Sequence, residues 1–298
     1  MLCALSLVVA CFASASAVAA SPKDLVRAVG AENEYGNVIS QVGGRYVNVA
    51  SVMSNPNTDP HTFEVSTSVA REVAAAQLIV QNGVGYDEFM QQLESASPSR
   101  TRKVVSAQSL LGLPSDTKNP HLWYKPITME LVAKSVEREL AEIDPRHAAY
   151  FEQRLGAFDS SLQTLTHAIA AFRATLKGVR VATTEPVADY LLSALGLDNA
   201  TPFSFQADVM NGIDPSPEDI AFQQNLFTTH VVKVFCYNAQ VISPVTTSLL
   251  SLAKSSRVPV VAVYETMPVP GYDYQSWMLA EIKALTKAIE QHESTTSL

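Results

Sequence analysis

Six histidines occur in this 298-residue chain, and two of them follow a proline, in Asp59-Pro60-His61 and in Pro120-His121. Imidazole is the commonest side-chain ligand for transition metals, and a proline beside it narrows the backbone that presents it. Each of these histidines opens an apolar or aromatic run, His61-Thr62-Phe63-Glu64-Val65 and His121-Leu122-Trp123-Tyr124, ahead of a segment with helical spacing. Two carboxylates, Glu185 and Glu265, each close an apolar strand-like run in the second half of the chain. His61, His121, Glu185 and Glu265 therefore form a candidate four-ligand metal site assembled from two lobes. Taken singly, each has a plainer reading: Asp-Pro starts turns, Glu185 suits the N-terminus of a helix, and Glu265 suits an exposed loop. It is their coincidence that points to metal. His147, His167 and His292 read as solvated positions on or near helix surfaces, and His230, just before a strand, as structural.

The elements that must position these groups follow from periodicity. Continuous apolar runs fit buried parallel strands at Tyr46 to Ser51, Leu78 to Asn82, Val179 to Thr183, Val231 to Tyr237 and Val258 to Tyr264. Helical spacing lies between them, at Ser66 to Ala76, Thr128 to Ile143, Pro186 to Leu195, Pro217 to Leu226 and Asp273 to Glu290. This alternation predicts an α/β protein with parallel sheets, and the length suggests two lobes. Glu185 and Glu265 then fall at the carboxyl ends of strands, where open parallel sheets bind ligands. Pro186 suits the first turn of a following helix, and Pro268 with Pro270 stiffens the loop after Glu265.

One segment breaks the rhythm. From Asp144-Pro145 to about Lys177, Ala148, Phe151, Leu155, Phe158, Leu162, Leu165, Ile169 and Phe172 recur at three- and four-residue steps. The pattern predicts one amphipathic helix of about 30 residues, about 45 Å long. It either joins the two lobes stiffly or packs within one of them. The resulting division is 1–20 signal peptide, 21–143 first lobe, 144–178 linking helix and 179–298 second lobe.

A hydrophobic fraction of 47% is ample for globular cores, and a formal net charge of −8 lacks the basic footprint that nucleic acid requires. The uncharged opening MLCALSLVVACFASASAVAA reads as a secretory signal cleaved near Ala19 to Ser21. A lipid anchor at Cys11 after Val8-Val9-Ala10, or a structural N-terminal helix, are the alternatives. Beyond the leader one cysteine remains, Cys236, in an apolar strand, where it reads as a small buried hydrophobe. Two imidazoles and two carboxylates make a shell of mixed nitrogen and oxygen donors suited to zinc, manganese or ferrous iron, and a closed four-ligand shell favours binding over catalysis.

Two blocks carry a family resemblance. One is Asn55-Pro56-Asn57-Thr58-Asp59-Pro60-His61-Thr62-Phe63-Glu64 followed by Leu78-Ile79-Val80-Gln81-Asn82-Gly83-Val84-Gly85-Tyr86-Asp87; the other is Asn119-Pro120-His121-Leu122-Trp123. Together with Asp144-Pro145 they resemble the substrate-binding proteins of the zinc and manganese ABC importers. The resemblance implies two α/β lobes joined by one long backbone helix, with one divalent ion, Zn2+ or Mn2+, carried in the cleft as transported ligand. It implies His61 and His121 as first-lobe ligands and Glu185 as the third. At the fourth position the family usually has aspartate, where this chain offers Glu265, and no histidine-rich loop separates the two histidine ligands. The implied protein is a periplasmic or otherwise extracytoplasmic monomer that is not an enzyme. It delivers its metal to an ABC permease in the inner membrane. The alternative reading is a secreted metal-dependent hydrolase, for which no His-Glu-x-x-His, nucleophile elbow or phosphate-binding glycine loop is present.

Overall fold

The computed structural model describes residues 25–55, 63–268 and 270–298. The signal peptide, Cys11 and His61 lie outside the described residues.

The first half alternates β1 (Val26–Glu32), α1 (Asn33–Gly43), β2 (Val47–Met53), α2 (Thr67–Ala75), β3 (Leu78–Gln81), α3 (Glu88–Ala96), β4 (Lys103–Ser106) and α4 (Ala107–Leu110), then α5 (Thr128–Ile143). After α6 (Ala148–Leu176) come β5 (Arg180–Thr183), α7 (Asp189–Leu195), β6 (Asp198–Asn199), α8 (Phe203–Met210), α9 (Pro217–Thr228), β7 (Val234–Asn238), α10 (Pro244–Ser255), β8 (Val260–Val263) and α11 (Tyr274–Gln291). Two four-stranded sheets result, ordered β2-β1-β3-β4 and β6-β5-β7-β8, and every strand pair is parallel. The expected α/β fold with one parallel sheet in each lobe is therefore the observed one.

The periodicity does not reveal β1, although β1 is central in its sheet. Its Gly30 breaks the apolar run, and the fold requires that glycine: a Cβ there would stand 2.4 Å from the backbone nitrogen of Gly36 in α1. Glu32 ends this strand in register with Met53, which ends β2. Pro186 does not open a helix either, since α7 begins at Asp189 and Pro186 lies in the turn before it.

The long helix is α6, with 29 residues. Phe151, Phe158, Leu165 and Phe172, seven residues apart, form its buried stripe together with Leu162. Asp144 stops α5, and a short 3-10 turn, Pro145–His147, leads into α6. The helix packs against α1 and α5 on one side of the molecule and against α7 and α11 on the other. It therefore joins both lobes rather than lying within one. His147 is not a free surface residue: it stacks on Tyr46 with ring centroids 3.6 Å apart and bonds Asp144 at 2.6 Å. His167 and His292 are exposed, and His230 closes α9 with a φ of 54°. Cys236 is buried, and burial pushes its thiol pKa well up, as suits an inert core residue. Among the described residues no helix is long and apolar enough to cross a membrane.

Candidate metal centre

The carboxyl ends of the two sheets face each other across the cleft. Each predicted site residue among the described ones lies there and is deeply buried: His121 at 0%, Glu185 at 2% and Glu265 at 1% exposure. Glu185 follows β5 and Glu265 follows β8, so the strand-end rule places both carboxylates.

His121 stands where the chain enters the 3-10 turn Leu122–Tyr124. Its Nε2 lies 3.4 Å from Glu265 Oε2 and has no hydrogen-bond partner. The ring's other nitrogen, Nδ1, is 2.8 Å from Asn119 Oδ1. The orientation of that amide is determined, because Asn119 Nδ2 donates to the Pro186 carbonyl at 2.8 Å while Oδ1 also accepts the His121 backbone N–H at 3.0 Å. Asn119 therefore offers His121 an acceptor, so Nδ1 carries the proton and Nε2 presents a bare lone pair. A metal-binding imidazole needs that arrangement. Trp123 and Tyr86 pack edge-on against the ring, with centroids 5.4 Å and 5.8 Å away.

On the opposite wall one amide serves both acids. Asn238, the last residue of β7, directs Nδ2 to Glu265 Oε1 at 2.5 Å and to Glu185 Oε2 at 3.4 Å. The Glu265 loop is held in turn by Gln240, whose Oε1 accepts the backbone N–H groups of Glu265 and Thr266 at 2.6 and 2.8 Å. From the first lobe Tyr86 donates its hydroxyl to Glu265 Oε2 at 2.8 Å. Tyr86 is presented by a tight loop after β3 in which Gly83, Val84 and Gly85 have φ values of 85°, 56° and 78°. Asp87 secures that loop by accepting the N–H groups of Asn82 and Gly83 at 2.6 and 2.8 Å.

The lobes are also tied directly. Asn33 bonds Met267 in both directions, donating Nδ2 to its carbonyl at 2.8 Å and accepting its N–H at 3.0 Å. Tyr274 donates its hydroxyl to the Trp123 carbonyl at 2.8 Å. The structure thus brings His121 and Glu265 together and sets Glu185 beside them across the Asn238 amide. Among the described residues no three His, Cys, Asp or Glu side chains form a metal-holding group.

The family model of ZnuA, zinc-uptake complex component A periplasmic, matches residues 29–288. The chain belongs to this family. It is 22% identical over 202 residues to a putative metal-binding protein of Treponema pallidum, covering 62% of this chain and 62% of that protein's length. It is 20% identical over 291 residues to the manganese ABC transporter substrate-binding lipoprotein PsaA of Streptococcus pneumoniae, covering 91% of each. Among solved structures, FpvC of Pseudomonas aeruginosa in complex with Mn2+ superposes with a TM-score of 0.72 at 21% identity, covering 90% of this chain and 99% of that one. The periplasmic zinc-binding protein TroA of Treponema pallidum superposes with a TM-score of 0.73 at 17% identity, covering 88% and 98%. At these identities the structures establish a shared fold.

Within the family fold, sequence reasoning overlooks the residues that orient the candidate ligands: Asn119, Asn238, Gln240 and Tyr86. Asn238 ends β7 much as Glu185 and Glu265 lie just beyond β5 and β8, so the strand-end rule was the available signal. Asn119 carried one as well, standing two residues before His121 in the same motif.

Proposed function

We propose that this protein is an extracytoplasmic receptor that binds one divalent transition metal ion, zinc or manganese, in the interlobe cleft and delivers it to an ABC import permease in the inner membrane. His121, Glu185 and Glu265, with His61 from the segment after β2, are its ligands. The mature chain has a first lobe at 21–143, a linking helix at 144–178 and a second lobe at 179–298, preceded by a signal peptide at 1–20, and acts as a monomer. The observation that carries this reading is His121 Nε2, fully buried, with its tautomer set by Asn119 and its lone pair unengaged beside Glu265. A buried imidazole nitrogen without a partner is costly unless a ligand takes it up. Family membership and the names of the relatives support transport over hydrolysis.

The helix α6 and the cross-lobe bonds argue for small loop adjustments on loading rather than a wide hinge swing. Calorimetric titration of chelator-stripped protein with Zn2+ and with Mn2+ tests the reading. We expect tight one-to-one binding that His61→Ala, His121→Ala and Glu265→Ala abolish. Binding indifferent to all three variants would sink the site. Small-angle scattering with and without metal should show little compaction, and a large one would refute the stiff-lobe mechanism.

A further inference from the structure

Two acids of the first lobe have no place in this ligand set. Glu32 ends β1 and Glu34 lies in the first turn of α1, at 1% and 0% exposure. All four of their carboxylate oxygens are buried and accept no hydrogen bond. Burying an ionised carboxylate without donors or a counter-charge is strongly unfavourable, and among the described residues no lysine or arginine is buried to supply one. Two such groups side by side keep their protons in the metal-free fold, and a cation bound there would displace those protons.

The place is the cleft. Asn33, between the two acids in sequence, is the residue bonded in both directions to Met267, two residues beyond Glu265. Tyr86, which donates to Glu265, feels the charges of Glu265, Glu32 and Glu34 in that order, after burial itself. Burial is the main cause holding the Glu34 carboxyl well above the ordinary range, and the Glu265 charge adds to it. Nearby N–H groups of Glu34 and Met267, short of hydrogen-bonding geometry, oppose that rise. Glu32 is likewise raised, first by burial and then by Asp87 and Glu34. It is in register with Met53, the last residue of β2. A second observation points to a ligand independently of the acids: His121 Nε2, fully buried and without a hydrogen bond, is directed at the same Glu265 carboxylate.

We propose that Glu34, with Glu32 beside it, belongs to the cation site as a first-lobe carboxylate donor. This inference rests on the metal-receptor reading and narrows its cargo. A carboxylate added to His121, Glu185 and Glu265 makes the shell rich in oxygen and raises the coordination number it can offer. Zinc, content with four ligands, gains little from that, whereas Mn2+ prefers oxygen donors and fuller coordination. The extra carboxylate therefore favours Mn2+ selectively, against the intrinsic order of affinities that puts zinc ahead.

The test is calorimetry on the full chain, stripped of metal, with Mn2+ alone and Zn2+ alone, for wild type, Glu34→Gln, Glu32→Gln and His121→Ala. Glu34→Gln should weaken Mn2+ binding by about tenfold or more, the scale of a lost ligand-shell contact, and Zn2+ binding much less; Glu32→Gln should act in the same direction more weakly. Metal-induced rise in Tm gives a second readout: Mn2+ should raise it in wild type and lose that effect in Glu34→Gln. If Glu34→Gln does not fold, Glu34→Asp keeps the charge, shortens the reach and should show the same metal preference in its loss. Glutamine variants that bind Mn2+ as wild type does, while His121→Ala binds neither metal, would overturn this inference and leave the receptor reading standing. A wild type that binds neither metal would remove both.

Discussion

The two walls of the cleft treat the same side chain in opposite ways. On the second-lobe wall Glu185 and Glu265 share the Asn238 amide, and Glu265 also receives the Tyr86 hydroxyl. On the first-lobe wall Glu32 and Glu34 are equally buried and receive nothing. Donors stabilise the ionised carboxylate and burial destabilises it, so the donors decide whether a buried acid keeps its charge. Two other acids calibrate the contrast. Asp87 is lifted by burial to about 6 even though two backbone N–H groups pull it down. Glu281 is lifted by burial to about 8, opposed only by Tyr124 and the Trp277 indole, and its Oε2 has no partner. The second-lobe wall therefore meets its acids with donors, and the first-lobe wall leaves its acids without any.

The sharpest way to break this contrast is a pH series on the metal-free protein. The carboxyl of Glu281 titrates at about 8 in the fold against an ordinary 4.5, so the folded state holds its proton more tightly than the unfolded state does. Its contribution to stability is complete below pH 4.5 and is lost as pH rises through 8, a change on the order of 5 kcal/mol. Urea unfolding should show wild type losing stability between pH 5 and pH 8, with Glu281→Gln removing its share of that slope and Glu32, Glu34 and Asp87 carrying the rest. An unchanged slope would mean that a donor-poor buried acid is not neutral, and the contrast would fail.

Next in size is Asn119→Ala, which removes the group that sets the His121 tautomer. Metal affinity should drop by about tenfold to a hundredfold in calorimetry with little change in fold. Gly83→Ala tests the loop that presents Tyr86. Its φ is +85° and a Cβ would meet Gln108 Oε1 at 2.7 Å, so thermal unfolding should report a loss of about 2 kcal/mol. The smallest effect is a control in the second lobe: Ser243→Ala deletes the hydroxyl that caps α10. It should cost about 1 kcal/mol of stability and leave metal affinity where it was.

Much of this arrangement is legible in the order of the residues. Thr128 to Ile143 is α5 as read, and the seven-residue recurrence of Phe151, Phe158, Leu165 and Phe172 gives α6 because one apolar stripe faces two lobes at once. Glu185 and Glu265 stand out because polar residues that end buried strands are conspicuous. The opposite wall is hidden for the same physical reason that makes it unusual. Arg27 and Gly30 interrupt the apolar run of β1, so the strand is missed, and with it the fact that Glu32 ends a strand too. Asn238 and Gln240 act on Glu265 from 27 and 25 positions away, a meeting that no local pattern encodes, whereas Asn119 acts on His121 two residues on.

The buried residues of α6 belong to a hydrophobic cluster that runs without interruption from Val26 and Tyr35 in the first lobe to Val181, Leu191 and Val263 in the second. Architecture in two lobes thus does not mean autonomy in two lobes. A half cut free at α6 would carry a strip of Phe and Leu side chains with nothing to cover it, and would be prone to aggregate or to be degraded. Loss of order anywhere along that strip is felt at both ends, so calorimetric scanning should show the two lobes melting together, and a nascent first lobe would lack the partner that seals its core until the second is synthesised.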